Sequence, residues 1–425
     1  MSINLGNNTN VKFRVGSADC KVYLGTNLLY PNSSPIPYEN QYLTFIAKGQ
    51  EEYNSYQFSG NSINYSLDSG TTWSTLQSGE WTPTIPPGHT IMWKATLTPS
   101  SVNPNYGIGA FRTNTVLGRI YVEGNVMSLL YGDNFIGQTD LSGKDYAFYR
   151  LFRGCIGLKD ISNLKLPATR LSDHCYAEMF YNSDITVAPE LPATELNSYC
   201  YYQMFWGCES LVTAPELPAT TLYNYCYFSM FGNCYSLTTA PELPATELAP
   251  YCYSYMFNHC SGLTAAPALP ASTMKEYCYQ YMFQDCTSLT TAPVLSATTL
   301  ANYCYHSMFR YCSGLTTAMP ELPATTLKQD CYYSMFDSCS SLTESPIIRG
   351  QTFIQGCCYQ MFYNCSSLEK ITCLATNVSA LLCTYLWVSG VKATGTFIKP
   401  YSMTGWGSCG ASKIPCGWTV QSYTT

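Results

Sequence analysis

Pro215-Glu-Leu-Pro-Ala-Thr-Thr-Leu-Tyr-Asn-Tyr-Cys-Tyr-Phe-Ser-Met-Phe-Gly-Asn-Cys-Tyr-Ser-Leu-Thr-Thr-Ala240 decides the fold, because the chain repeats it almost verbatim. The first cysteine of successive copies falls at Cys200, Cys226, Cys252, Cys278 and Cys304, a constant step of 26 residues. Self-similarity at that period means stacked units sharing one interior, since no single copy can bury its apolar face alone. Function then comes from a long repetitive surface, or from what is attached to its ends.

Within a copy, Leu-Thr-Thr-Ala-Pro-x-Leu-Pro is short and extended, because its prolines forbid a helix and limit ladder hydrogen bonds. Leu237 and Leu243 are expected to face inward. Ala-Thr-x-Leu turns a corner. Tyr-Cys-Tyr-x-x-Met-Phe-x-x-Cys then places Leu222, Cys226, Met230 and Cys234 at steps of four, which predicts one face of a short helical stretch. The Met-Phe pair recurs at Met179, Met204, Met230, Met256, Met282, Met308, Met335 and Met361. Leu151-Phe152 and Leu386-Trp387 mark worn copies at the two ends, as terminal units must cap the core.

The 22 cysteines first suggest a disulfide scaffold, but their spacing argues otherwise. The first repeat position holds Cys175, Cys200, Cys226, Cys252, Cys278, Cys304, Cys331, Cys357 and Cys383. The second holds Cys155, Cys208, Cys234, Cys260, Cys286, Cys312, Cys339 and Cys365. Within a helical copy the two positions would lie about 12 Å apart along the axis, beyond the Cα separation of about 4.4–6.8 Å that a disulfide needs. Between neighbouring copies the Cβ vectors run parallel, which disfavours the required torsion. Both columns are therefore expected to be unpaired core ladders, with Cys acting as a small buried hydrophobe. The spacing is not a zinc pattern. It leaves open whether Cys409 and Cys416 pair.

Outside the array, residues 1–34 form a short module with two strand-like pieces, Val11-Lys-Phe-Arg-Val-Gly and Lys21-Val-Tyr-Leu-Gly-Thr. It is too small for a core of its own, and Pro31 to Pro37 reads as a linker. Residues 38–128 alternate apolar and polar. Tyr42-Leu-Thr-Phe-Ile, Thr90-Ile-Met-Trp-Lys-Ala and Gly118-Arg-Ile-Tyr-Val read as strands, so an all-β sandwich is expected. Inside it, Ser66-Leu-Asp-Ser-Gly-Thr-Thr-Trp73 fits the Asp-box pattern. Asp68 would cap backbone amides, Gly70 supply a positive φ and Trp73 pack beneath. A propeller needs several such boxes over several blades; with one, a hairpin turn is the expectation. The array spans 129–387, and residues 388–425, rich in Gly, Ser and Trp, read as a C-terminal cap. The expected fold is α+β: a sandwich followed by a solenoid of about ten turns, each a short strand plus a short helix.

Charged residues make up 11% of the chain, less than half the usual share. Tyr, Ser, Thr and Asn take over the surface, which suits a recognition surface and equally a tightly stacked rod with little room for long charged side chains. The net charge of -6 and the lack of a basic cluster argue against nucleic acid. No apolar run approaches the roughly 18 residues of a membrane span, so no membrane insertion is expected. The start, Met1-Ser-Ile-Asn-Leu-Gly, lacks the pattern of a signal peptide.

Catalysis needs convergent polar groups. Of His89, His174, His259 and His306, the last three lie in different copies at different repeat positions, and none aligns with a nucleophile and an acid. Glu190, Glu216, Glu242 and Glu321 recur at one position, as a solvent-facing row interrupted by Ala268 and Val294. No catalytic residue, cofactor or metal ligand is expected. What varies between copies is the pair between Phe and Cys: Tyr181-Asn182, Trp206-Gly207, Gly232-Asn233, Asn258-His259, Gln284-Asp285, Arg310-Tyr311, Asp337-Ser338 and Tyr363-Asn364. Positions released from packing are the exposed ones. They form either a binding strip or a solvated face left to drift. Tyr181, Trp206, Asn258, His259, Arg310, Tyr311 and Tyr363 are the candidates for contact, since Trp, Tyr and Arg dominate hot spots.

Met282-Phe-Gln-Asp-Cys-Thr-Ser-Leu-Thr290 and its equivalents resemble the leucine-rich repeat in its BspA-type variant; the general family carries Ala-Phe-x-x-Cys-x-x-Leu. This chain departs by Met for Ala, by Cys for Ile at the first cysteine position, and by an extra Pro-flanked residue in the strand. The variant occurs in surface proteins of gut anaerobes and in tailed phages that infect them, so the resemblance implies a non-enzymatic adhesion or structural protein. Lys21-Val-Tyr-Leu-Gly-Thr-Asn-Leu-Leu-Tyr30 resembles the short start of phage virion proteins. Without a signal-peptide pattern, the expected place is the virion, as a fibre or tail appendage. The N-terminal module would attach it to other virion proteins, and the rod would bind a host-surface glycan or protein. Attachment to a symmetric particle implies a homo-oligomer, a trimer among its forms. The alternatives are a bacterial cell-surface adhesin and, on the strength of one Asp-box, a sialidase-like glycan-processing protein.

Overall fold

The computed structural model describes residues 22–24, 27–30, 36–47, 54–99, 107–113, 120–407 and 409–424. Of the expected module at 1–34, these include only a hairpin of β1 (Val22–Leu24) and β2 (Asn27–Tyr30). Val11-Lys-Phe-Arg-Val-Gly and linker residues 31–35 lie outside them.

The N-terminal body contains β3 (Leu43–Ala47), β4 (Tyr56–Phe58), β5 (Ile63–Ser66), β6 (Ser74–Leu76), β7 (Thr90–Lys94), β8 (Phe111–Thr113) and β9 (Ile120–Asn125). Strands β6, β5, β7, β3 and β9 are successive antiparallel neighbours. Strands β4 and β8 form a separate ribbon. Its Phe111 packs on Phe58, Phe45 and Trp93, with ring centroids 4.8–5.0 Å apart. The described strands thus make one sheet with a ribbon against it, rather than two full facing sheets.

This body continues into the array. After the four-residue helix α1 (Ser128–Tyr131), the first coil contributes β10 (Leu158–Asp160) and β11 (Leu164–Lys165), which pair parallel with the free side of β9. The Phe111 N–H donates to the Leu151 carbonyl, and its ring stacks on Phe152 at 5.8 Å. The sheet therefore covers the end of the solenoid core that a worn first copy would leave open.

The coils depart from the expected strand-plus-helix unit. Leu222, Cys226, Met230 and Cys234 are all buried, as are Leu237 and Leu243, but α1 is the only α-helix among the described residues. The second half of each copy is instead a run of tight turns. Tyr225, Ser229 and Asn233 take φ of 56°, 50° and 59°. The N–H groups of Cys226, Phe228, Met230, Gly232 and Cys234 each donate to the carbonyl three residues back. Those of Tyr225, Tyr227, Ser229, Phe231 and Asn233 donate to Pro250, Cys252, Ser254, Met256 and Asn258 of the next copy. A helix would use every donor internally; here alternate donors join the copies, and a left-handed residue at every fourth position makes that possible. Steps of four keep the same face inward with either backbone, so apolar spacing could not separate the two.

Equivalent side chains stack from copy to copy. Phe152, Phe180, Phe205, Phe231, Phe257, Phe283, Phe309, Phe336 and Phe362 form a buried column at 5.5–5.7 Å. A second column runs from Tyr176 to Tyr332 at 5.7–6.0 Å. Trp387 stacks on Trp406 at 5.1 Å at the C-terminal end. There β12 (Glu321–Leu322), β13 (Glu344–Ile348), β14 (Lys370–Cys373), β15 (Thr396–Lys399) and β16 (Thr419–Ser422) pair parallel in chain order. Strands thus mark about four turns of the solenoid, while earlier copies meet through single bridges such as Thr213 with Thr239. In the closing segment Cys409 and Cys416 form a disulfide, with Cα atoms 4.9 Å apart.

Candidate recognition surface

The interior is chemically quiet. Nineteen cysteines of the described residues are free and buried. Cys200, Cys226, Cys252, Cys278 and Cys304 form one column, and Cys208, Cys234, Cys260, Cys286 and Cys312 a second. The second column does more than fill space. Its thiols donate to the carbonyls of Phe180, Phe205, Phe231, Phe257 and Phe283 at 2.9–3.2 Å, which suits a small apolar side chain with one weak donor. Burial pushes the thiols of Cys200, Cys208, Cys260 and Cys278 up to about 12. A thiol held protonated in this way is a poor nucleophile.

The imidazoles are engaged locally. His174 lies between Tyr146 and Tyr199, 4.5 Å from each ring. That half-buried column continues through Tyr225, Tyr251 and Tyr277 to Tyr303 at 4.4–4.7 Å. His306 stacks on Tyr333 at 4.5 Å, and burial holds its pKa down at about 4. His89 Nδ1 lies 3.2 Å from the Pro87 carbonyl. Ser66 to Trp73 makes the turn between β5 and β6. Asp68 Oδ1 accepts from the Thr72 N–H at 2.8 Å, Gly70 takes φ 83°, and Trp73 packs edge-on to Tyr42 at 5.0 Å. Among the described residues no three metal-ligating side chains converge, and no helix is long and apolar enough to cross a membrane.

The varied pair of each copy sits on the turn side. Tyr181 and Trp206 are half-buried and stack on each other at 4.6 Å. His259 Nδ1 lies 3.4 Å from Asp285 Oδ2. Arg310 Nε donates to Asp337 Oδ2 and its Nη2 to the Tyr311 hydroxyl, both at 2.8 Å, with the guanidinium over the Tyr311 ring. Tyr311 is exposed and Tyr363 half-buried. Asn258 departs from the expected exposed row: it is buried. The second residue of each pair carries positive φ, as at Asn182, Gly207, Asn233, His259, Asp285 and Asn364. Asn, Asp, His and Gly tolerate that region best, so backbone geometry accounts for part of the variation.

With this geometry in view, residues 194–343 and 280–381 match the family described as the BspA type leucine rich repeat region, in six copies. Over that span, 194–381, the repeats are similar to the BspA leucine-rich type. No curated protein and no solved structure gave a significant match. The array also carries a signal that apolar spacing misses: opposite charges about one period apart meet across neighbouring coils. Arg310 with Asp337, Lys370 with Glu344, Arg170 with Glu195 and Arg349 with Glu321 are ion pairs of this kind. So is the cluster of Arg150, Arg153 and Glu178.

Proposed function

We propose that this chain is a non-enzymatic adhesion protein whose solenoid contacts a cell-surface glycan or protein. The observation that carries this reading is the contrast between nearly invariant inner columns and a turn-side column that changes from copy to copy, bearing Tyr181, Trp206, Arg310 and Tyr311 on the outside. The BspA-type repeats support it, since they point to a surface-exposed repeat protein. The test is saturable binding of the labelled protein to whole cells, reduced when surface glycans or proteins are stripped. Absence of binding, or release of sugar from the surface, overturns it.

Its place is the virion, as a fibre or tail appendage held to other virion proteins through residues 1–34 and assembled as a homo-oligomer. The start at Lys21 to Tyr30 supports this. Mass spectrometry of purified virions checks it. Absence of the protein there moves the same adhesin to a bacterial cell surface, which the repeat family also favours.

A further inference from the structure

We propose that Arg150 and Arg153 form a binding site for a carboxylated sugar unit, which rests on and narrows the adhesion reading. Glu178 is only 7% exposed. Arg150 donates to its two oxygens from Nε and Nη2 at 2.9 Å each, Arg153 Nε to Oε2 at 2.9 Å, and the Tyr149 hydroxyl to Oε1 at 3.2 Å. Two guanidiniums share one carboxylate, so the cluster keeps one positive charge in a chain of net charge -6. Each guanidinium lies on a ring: Arg150 on Tyr149 at 4.5 Å and Arg153 on Tyr181 at 4.4 Å. The ring below and the bond to Glu178 fix both planes.

Arg153 keeps both Nη groups, and Arg150 its Nη1, without a protein partner. Their side chains are 42% and 32% exposed. A guanidinium edge with two N–H groups side by side matches a carboxylate, and a single net charge suits that monoanion better than a phosphate dianion. Trp206 extends the platform on the far side of Tyr181. Its ring leans over the next copy, where a Cβ on Gly232 would come within 2.7 Å of it. Gly232 has no positive φ to demand glycine; its lack of a side chain makes room for the indole. The half-exposed Tyr181 ring next to the fixed Arg153 guanidinium, continued by the Trp206 indole one layer further on, gives a sugar ring bearing a carboxylate an apolar surface beside its anion site.

The test titrates the intact protein with polygalacturonate, its carboxyl-reduced form and inorganic phosphate. Binding is expected for the acidic polymer alone. Arg153→Gln, which leaves Glu178 paired with Arg150, is expected to weaken it about tenfold or more. Arg153→Lys, which keeps the charge but loses the fork, falls between. Buried-thiol protection and circular dichroism confirm that each variant is folded. Equal binding of the reduced polymer, equal competition by phosphate, or an unaffected Arg153→Gln overturns the site. Cell binding without polygalacturonate binding overturns this site and leaves adhesion standing. Loss of all cell binding with retained polygalacturonate binding overturns adhesion and supports the site.

Discussion

The two sides of a coil are held by different means. On the turn side, neighbouring copies bond at every second residue, Tyr225 to Pro250 through Asn233 to Asn258, and stack two buried ring columns. On the extended side, Pro215 to Pro218 and Pro241 to Pro244 share no main-chain bond, and a hollow of about 460 Å³ lies between residues 188–192 and 215–218. Where proline drops out, at β14 and β15, a regular parallel ladder appears. Proline removes the donor that a ladder needs. The difference teaches that the turn side sets the stacking, and the extended side becomes strand only where the sequence permits it.

Raising the pH attacks the turn side most severely. The folded thiols titrate above their ordinary range, so their contribution is complete below the unfolded pKa of about 8.5 and is lost as pH rises towards the folded value. Eighteen of the free thiols are raised by burial, and at up to about 1.4 kcal/mol per pH unit each the slope is steep, on the order of tens of kcal/mol per pH unit at most. Circular dichroism and ultraviolet thiolate absorbance are expected to change together, in one steep step. Thiolate appearing gradually in a folded rod contradicts the buried columns.

Phe257→Ala, at a fully buried ring of the turn side, is expected to cost about 3–5 kcal/mol. Leu243→Ala, on the looser extended side, is expected to cost less, at about 2–3 kcal/mol. Urea unfolding compares them, and the reverse order breaks the contrast.

The period and the inward face were legible in the sequence, since a column of Phe or Cys needs only a fixed repeat. The backbone was not: steps of four serve helix and turn alike. A hint was present in Asn182, Gly207, Asn233 and Asp285, residue types that tolerate positive φ. Of the proposed site, Tyr181 and Trp206 stood out by their variation. Arg150 and Glu178 did not, because they lie outside the varied pair, and Arg153 did not, because it holds the pair's first place in the worn first copy, Phe152-Arg153-Gly154-Cys155, rather than in a regular one. The hydrogen-bonding role of the second cysteine column was also hidden, because a thiol donor is indistinguishable in sequence from a small hydrophobe.

That role gives a smaller effect. Cys260→Ala, which removes the donor to Phe231, is expected to cost about 1 kcal/mol more than Cys260→Ser. Ser183 holds the equivalent position in its copy, and its hydroxyl also finds a Phe carbonyl, that of Phe180 in its own copy, at 2.6 Å. Equal costs in urea unfolding would show that the thiol only fills space. The smallest effect belongs to the extended side. Pro241→Thr with Pro244→Val is expected to shift stability by no more than about 0.5 kcal/mol while adding β signal in the infrared amide band. A large loss of stability there would mean that the prolines hold the rod.

The solenoid is closed at one end by the N-terminal body, whose ribbon brings Phe111 onto Phe152, and at the other by Trp406. Each coil advances the tip by about 4.8 Å. Unequal recombination between near-identical tandem units would therefore lengthen or shorten the protein's reach in fixed increments, with neither terminus redesigned, making it a spacer whose span is set by copy number alone.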